Sequence, residues 1–260
     1  ICVMKAIWTG SLGFGLVNIP VKMYSAVEES NLDFDMLDKK DHANIKFKRV
    51  NEKTGKEVVW ENIVRGFMLN DKYVVLDKED FEKASPEKTK HIGISQFVKL
   101  AEIDPNYFEM PYFLEPDKTG VRAYALLRDA LKKSGKAAIG SFVMHNREHL
   151  CVIKAQDNAL VLNRIRFEQE LRSPKDLKIP ATKATAAELK MALSLVDQLT
   201  KKFDISSFKD EYSDKLMKLI RAKSKGKSVK VPQMKVVHSN SKDLMEQLKA
   251  SLSTSKRKVS

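Results

Sequence analysis

Short hydrophobic runs rich in β-branched and aromatic residues are separated by polar turn segments along much of the first 170 residues, a pattern typical of β-strands. The predicted β segments are 5–24, which forms two strands around a tight turn, and then 73–76, 92–100, 111–114, 137–144, 150–155 and 160–166. Short, closely spaced strands with few intervening helices favour a barrel or a sandwich. The predicted fold class is therefore α+β, mainly β.

Helical periodicity appears at four places before the tail. Asp77 is a predicted cap for a short helix that ends near Ser85. A second helix is predicted at 121–133, with Tyr124, Leu127 and Leu131 on one stripe and Gly135 just beyond its end. A connector at 174–185 is followed by two further predicted helices. The helix at 186–203 has an apolar stripe formed by Leu189, Leu193, Val196, Leu199 and Phe203. The next helix, with Ser207 as its predicted cap, has a stripe formed by Tyr212, Leu216, Leu219 and Ile220. These stripes pack either on the chain's own barrel or on another subunit.

A basic hairpin is predicted at 45–60, IKFKRVNEKTGKEVVW. Ile45 and Phe47 fall on one face of the first strand, 51–55 is a polar turn containing glycine, and 58–60 returns as a second strand. Its five cations are Lys46, Lys48, Arg49, Lys53 and Lys56. They either protect an edge strand from aggregation or form a surface for an anionic partner.

Charge is unevenly distributed along the 260 residues, which carry a net charge of +13. Residues 221–260 hold eleven Lys and Arg against two acidic residues, so that this part carries +9 and the first 220 residues only +4. The excess of cations favours nucleic acid over membrane as a partner, because no long apolar span is present. A nearly balanced core must concentrate its cations to bind a polyanion.

The C-terminal tail combines basic residues with one amphipathic segment. Residues 223–240 are rich in Lys, Ser and Gly, which predicts disorder, and 241–252 is a predicted short helix. Its apolar stripe suggests docking onto a partner, through Leu244, Met245, Leu248 and Leu252. The candidate nucleic-acid-binding residues of the tail are Lys223, Lys225, Lys227, Lys230, Lys256, Arg257 and Lys258. The predicted organisation is a core at 4–172, a helical arm at 173–222 and a flexible basic tail at 223–260.

Neither catalytic residues nor a metal site are predicted. The sequence from His145 to His149 matches an H-x-x-E-H zinc motif, but strand-like flanks predict a hairpin turn there instead of the required helix. The glycines at 10, 13 and 15 do not have dinucleotide-binding spacing. Cys2 and Cys151 fit a reducing cytoplasm, and Met4 is the expected native start. We predict a protein without enzymatic activity or cofactor.

The order of several motifs resembles the bacterial Ku proteins. These motifs are WTGSLGFGLVNIPVKMY at 8–24, FKRV at 47–50, YFLEPD at 112–117, AYALLR at 123–128, NREHL at 146–150 and ELKM at 188–191. The resemblance covers about 4–220, and 243–252 resembles a C-terminal motif of many members. It implies a Ku-type β-barrel core with a bridge hairpin over DNA and a C-terminal helical arm for dimerisation.

The same resemblance implies a non-enzymatic, ring-shaped homodimer that threads onto double-stranded DNA ends in non-homologous end joining. It implies recruitment of the ATP-dependent ligase D and a location at the nucleoid in the bacterial cytoplasm. The basic hairpin would lie in the bridge and its five cations would contact phosphate, while 241–252 would dock the ligase. The alternative is a general basic nucleic-acid-binding protein without end specificity.

One departure from that family concerns the hairpin loop. Many bacterial members have a Cys-x-x-Cys pair where this chain has Asn51-Glu-Lys-Thr54. A metal in this loop is therefore unsupported, and the loop needs another means of holding its shape.

Overall fold

The computed structural model describes residues 4–28, 32–84, 90–226 and 244–257. The chain divides between Pro174 and Lys175 into two compact units. The first contains a β-barrel and a long insertion, and the described residues of the second form three α-helices.

Seven strands close into a barrel in the order β1-β2-β6-β9-β8-β7-β5. Adjacent strands are antiparallel except β1 and β5, whose parallel pairing closes the barrel. The barrel strands are β1 (Trp8–Phe14), β2 (Val17–Ser25), β5 (His91–Lys99), β6 (Phe108–Pro116), β7 (Lys136–Met144), β8 (Arg147–Gln156) and β9 (Ala159–Ile165). The predicted mainly-β fold with a barrel core is confirmed.

One helix completes the core of the barrel unit. Helix α2 (Val121–Ser134) buries Tyr124, Leu127 and Leu131, the predicted stripe, against β2, β7 and β8. Its C-cap is Gly135, in the left-handed conformation at φ 64°. Inside the barrel the largest fully buried side chains include Leu12, Ile19, Met23, Ile92, Phe142, Ile153, Leu160 and Leu162.

The buried Tyr124 hydroxyl links the helix to two strands. It donates a hydrogen bond to the Leu114 carbonyl oxygen and accepts one from the Leu160 amide, each at 2.6 Å. Burial is the main reason that the pKa of Tyr124 is raised. This side chain therefore supplies a hydrogen-bond partner to a buried backbone group on each strand.

The N-terminal glycines have structural roles in the barrel. A Cβ at Gly10 would lie 2.3 Å from the Lys90 carbonyl oxygen, and one at Gly13 would lie 2.3 Å from the His91 ring. Gly15 occupies the β1–β2 turn with φ +58°. The spacing of these glycines therefore reflects close strand packing and a tight turn.

The segment from His145 to His149 is a hairpin, as predicted. His145 and Asn146 both have positive φ angles, of 52° and 63°, and connect β7 to β8, while His149 lies within β8 opposite Phe142. A two-residue turn with two positive φ angles matches the twist of a β-hairpin. The helical face that the zinc motif requires is not formed.

A long insertion, residues 32–84, separates β2 from β5 and contains a second sheet. Its two strands, β3 (Arg65–Leu69) and β4 (Lys72–Leu76), are antiparallel. Strand β4 was predicted, but β3 was missed, although Asn70 and Asp71 form a two-residue turn with φ angles of 47° and 60°. Helix α1 (Lys78–Ala84) follows, and the predicted Asp77 cap is confirmed by its Oδ1, which accepts a hydrogen bond from the Asp80 amide at 2.9 Å.

The helical unit differs from prediction at two helix ends. Helix α3 (Ala186–Leu199) ends before the predicted Phe203, because Thr200 is extended and its hydroxyl donates to the Val196 carbonyl at 2.8 Å. Helix α4 (Glu211–Ser224) is capped by Asp210, so the predicted Ser207 cap was wrong. Ser207 instead ends a short 3₁₀ turn capped by Asp204.

The predicted tail helix is present with different bounds. Helix α5 is Leu244–Arg257 and continues past the predicted end at Leu252. Residues 241–243, at its predicted start, lie outside the described residues, as does the predicted disordered stretch from 227 onward. Helix α5 packs against α3, so the described part of the tail belongs to the helical unit.

We expect Tyr124→Phe to lower the free energy of unfolding by about 1–3 kcal/mol, because two buried backbone groups lose their partner. Denaturant titration followed by fluorescence measures this. The control is Tyr24→Phe, which removes an exposed hydroxyl bonded to Glu115 at 2.5 Å. That variant should change stability by less than about 0.5 kcal/mol. Equal effects would contradict the structural role of Tyr124.

Candidate nucleic-acid interface

The insertion presents an unusually exposed surface. None of its residues from 32 to 84 is buried. Its exposed large hydrophobic side chains are Phe34, Met36, Leu37, Ile45, Phe47, Val50, Val59, Trp60, Ile63, Val64, Phe67, Met68, Leu69, Tyr73, Val74, Val75 and Phe81. An apolar surface of this extent marks an interaction site.

The basic hairpin at 45–60 is a turn held by a few backbone contacts. A single antiparallel bridge pairs Val50 with Glu57, and the Val58 amide donates to the Arg49 carbonyl at 2.8 Å. The predicted strands are not formed, and Trp60 begins a 3₁₀ turn. An isolated two-stranded hairpin is marginal without a further strand or a core to pack on.

The loop of the hairpin is held by Asn51. Its side-chain oxygen accepts hydrogen bonds from the amides of Lys53 and Thr54 at 3.0 and 3.1 Å. Its backbone oxygen accepts from Gly55, whose φ is +65°. Thr54 also contributes, because its hydroxyl accepts from the Lys56 amide at 3.4 Å. Asn51 and Thr54 thus fix the shape of the turn.

Two of the five hairpin cations have partners within the hairpin. Lys48 Nζ lies 2.7 Å from Glu57 Oε2, and the Arg49 guanidinium lies over the Trp60 ring, 4.7 Å from its centroid. Among the residues that the structure describes, Lys46, Lys53 and Lys56 make no ion pair, and all three are exposed. They are the cations most available to an anionic ligand.

Positive charge within the insertion is concentrated in this hairpin. Residues 32–84 contain eleven Lys and Arg and twelve Asp and Glu. Residues 45–60 hold five of those cations and only two of the acidic residues. The insertion as a whole is therefore nearly neutral, but its hairpin is locally cationic.

The candidate residues of the basic tail are only partly described. Lys223 lies in the last turn of α4 and Lys225 just after it, and both are exposed. Lys256 and Arg257 lie in the last turn of α5. Lys227, Lys230 and Lys258 lie outside the described residues.

The candidate ligase-docking residues lie on α5. Leu244 is its first residue, and Met245, Leu248 and Leu252 are half-buried. Helix α5 packs on α3 within the chain.

Sequence patterns missed other cationic features. Arg65 on β3 stacks over Phe81 at 5.0 Å, and the Asn70–Asp71 turn was the signal for its hairpin. On the barrel, Glu109 binds Arg164 at 2.7 Å and Arg166 at 3.4 Å, beside a cleft of 780 Å³. No motif predicted this cluster, because its members come from strands that are distant in sequence.

The cleft also contains His149. Burial, followed by the nearby Arg164, lowers the pKa of this histidine. Burial raises the pKa of the Cys151 thiol to about 12, which disfavours the reactive thiolate.

Neither a metal centre nor a membrane span is found in the described part of the chain. Residues 4–28, 32–84, 90–226 and 244–257 contain no group of three or more His, Cys, Asp or Glu placed to hold a metal ion. Over the same ranges, no helix has the length and apolar character needed to cross a membrane.

Comparison with known proteins identifies the family. Residues 13–191 match the family model described as the Ku70/Ku80 beta-barrel domain. A protein of Opitutus terrae is 43% identical over 223 residues, covering 85% of this chain and 80% of its own length. Proteins of Pseudomonas aeruginosa and Archaeoglobus fulgidus are each 38% identical, covering 93% and 96% of this chain and 85% and 98% of their own lengths.

All three relatives are named non-homologous end joining protein Ku. The family match covers the barrel from the end of β1 onward, the insertion and the beginning of α3. This chain therefore belongs to the Ku family.

Proposed function

We propose that this protein binds double-stranded DNA ends, independently of sequence, as a ring-shaped homodimer in non-homologous end joining. The single observation that carries the proposal is the localised, exposed basic hairpin on an insertion without buried residues. The names of the relatives support the end-joining role. The protein acts without enzymatic activity of its own, at the nucleoid of the bacterial cytoplasm.

Dimerisation is supported by the apolar surface of the insertion. On one face of the small sheet, Phe67 is paired with Val74, and their side chains are 63% and 44% exposed. A two-stranded sheet needs a further packing surface for stability. A second copy of the chain supplies that surface with two-fold symmetry, and two insertions then enclose the duplex.

Phosphate contact is supported by the nature and position of the cations. Lysines are point charges that suit the DNA backbone and carry no base-reading geometry in themselves. Lys46, Lys53 and Lys56 are the leading contacts, with Lys48 and Arg49 available after exchange of their present partners. Such contacts give strongly salt-dependent, sequence-independent binding.

The second role is recruitment of the ATP-dependent ligase D. The amphipathic helix α5 supports it, because a short helix with an apolar side suits a groove on a partner. Met245, Leu248 and Leu252 supply that side, with Leu244 at the start of the helix.

The alternative is a general basic nucleic-acid-binding protein, favoured by the charge of +9 in 221–260. That protein would bind mainly through its tail and would not require a free end. A closed ring requires one, so DNA topology distinguishes the two functions.

We expect an unlabelled linear duplex to displace a labelled linear duplex from the protein at moderate salt. A covalently closed circle of the same sequence should not displace it. A competition gel shift measures this. The full chain should carry Gln at Lys227, Lys230, Lys256 and Lys258, so that the tail does not mask the difference. Equal competition by the circle would favour the general nucleic-acid-binding protein.

Replacement of Lys46, Lys53 and Lys56 by Gln should weaken binding to linear duplex and flatten its salt dependence. The slope of log K against log salt should fall by about 0.9 for each phosphate that the variant no longer neutralises. Fluorescence anisotropy over a salt series gives the slope. The control replaces Lys78 and Lys83 by Gln; on α1 these lysines pair with Glu82 and Glu79, respectively. An unchanged slope in the hairpin variant would place DNA binding elsewhere.

Replacement of Phe67 and Val74 by Asp should convert the homodimer to a monomer. Two charges placed in an apolar contact cost at least about 3 kcal/mol, roughly a hundredfold in dissociation constant. Sedimentation velocity over a concentration series measures this. The control is Leu126→Asp on α2, where the wild-type side chain is 64% exposed. A variant that remains dimeric would exclude this sheet from the interface.

A further inference from the structure

Helix α3 has two neighbouring apolar stripes in different environments. Leu189, Leu193 and Val196 are 53%, 54% and 59% exposed. Met191, Ala192 and Leu195 are half-buried. At 3.6 residues per turn, the two sets lie about a third of a turn apart around the helix. The predicted stripe is therefore the exposed one, and a second stripe has a partner.

That partner is α5, which packs against α3. On α5, Met245, Leu248 and Leu252 are half-buried, at the i, i+3 and i+7 spacing of one helical side. Glu246, Lys249 and Ser251 are exposed. Because the two helices pack together, we assign their contact to these half-buried sides.

We propose that Met191, Ala192 and Leu195 form a seat on α3 that holds α5 until the ligase displaces it. This inference rests on the proposed ligase recruitment and adds its regulation. The same apolar side of α5 contacts either the seat or the ligase. Seating and ligase binding are mutually exclusive, and the unliganded protein keeps its docking helix masked.

The seat competes effectively because it is covalently connected to α5. Linked binding partners experience effective concentrations of about millimolar for short connections. An isolated helix of this length is marginal in water, so contact with α3 also stabilises its helical form. The apparent affinity for ligase is reduced by the fraction of α5 that is released. Weakening the seat should therefore strengthen ligase binding.

The first measurement requires no ligase. In the full-length chain, Met191→Glu combined with Leu195→Glu should increase hydrogen exchange of the α5 amides at least about tenfold, because the helix loses its packing partner. The control combines Lys190→Gln with Ser194→Glu, which makes the same change in charge at exposed positions of α3. A milder variant, Leu195→Ala, should give a smaller increase without placing a charge in the seat.

The second measurement is affinity for purified ligase D of the same organism, by biolayer interferometry. We expect the seat variants to bind the ligase about threefold more tightly or better, and the control to match the unaltered chain. Replacing Leu248 by Asp should abolish binding in every background, because α5 itself supplies the contact.

The two measurements test the seat, the mutual exclusion and the ligase recruitment separately. Unchanged α5 exchange in both seat variants would overturn the seat. Released α5 with weaker ligase binding would overturn mutual exclusion, since the seat would then belong to the ligase site. If the unaltered chain and both seat variants fail to bind ligase, the proposed recruitment fails and the competition with it, whereas the exchange result judges the seat alone.

Discussion

The parallel pairing of β1 with β5 is the constraint on which the arrangement of the barrel unit depends. It closes the barrel and places the start of β5, where the chain re-enters the barrel after the insertion, beside β1. Gly10 permits this pairing, because a Cβ there would overlap the Lys90 carbonyl oxygen, and a Cβ at Gly13 would displace the His91 ring. Residues 32–84 are consequently a loop anchored at both ends to a rigid support. A binding segment without its own core can be positioned only by such anchoring.

That anchored insertion combines two kinds of surface. Its apolar side chains need a partner to leave water, whereas the cations of the hairpin are already exposed and partly organised by Asn51. The proposed dimer contact would use the first property, and the proposed phosphate contact would use the second. Pairing of Lys48 with Glu57 and stacking of Arg49 on Trp60 shape the hairpin, leaving Lys46, Lys53 and Lys56 as its available charges.

Helix α3 of the helical unit also combines two different surfaces. One side of this helix covers α5 and the neighbouring side remains exposed, so one short element has two separate contact surfaces. The effect of a mutation in α3 should therefore depend on whether the residue lies in the half-buried or in the exposed stripe. Met191 and Leu195 belong to the half-buried stripe, and Leu189 and Leu193 belong to the exposed one.

Sequence by itself determined the barrel strands, the buried stripe of α2, the hairpin turn at His145 and the existence of the tail helix, because local periodicity and turn chemistry encode them. It missed β3, misplaced the cap of α4 and predicted strands in the basic hairpin. Tertiary structure decided which cations have partners and which stripe of α3 is covered. The physical reason is that pairing and burial depend on segments far apart in the chain, such as α3 and α5, whose approach no local pattern records.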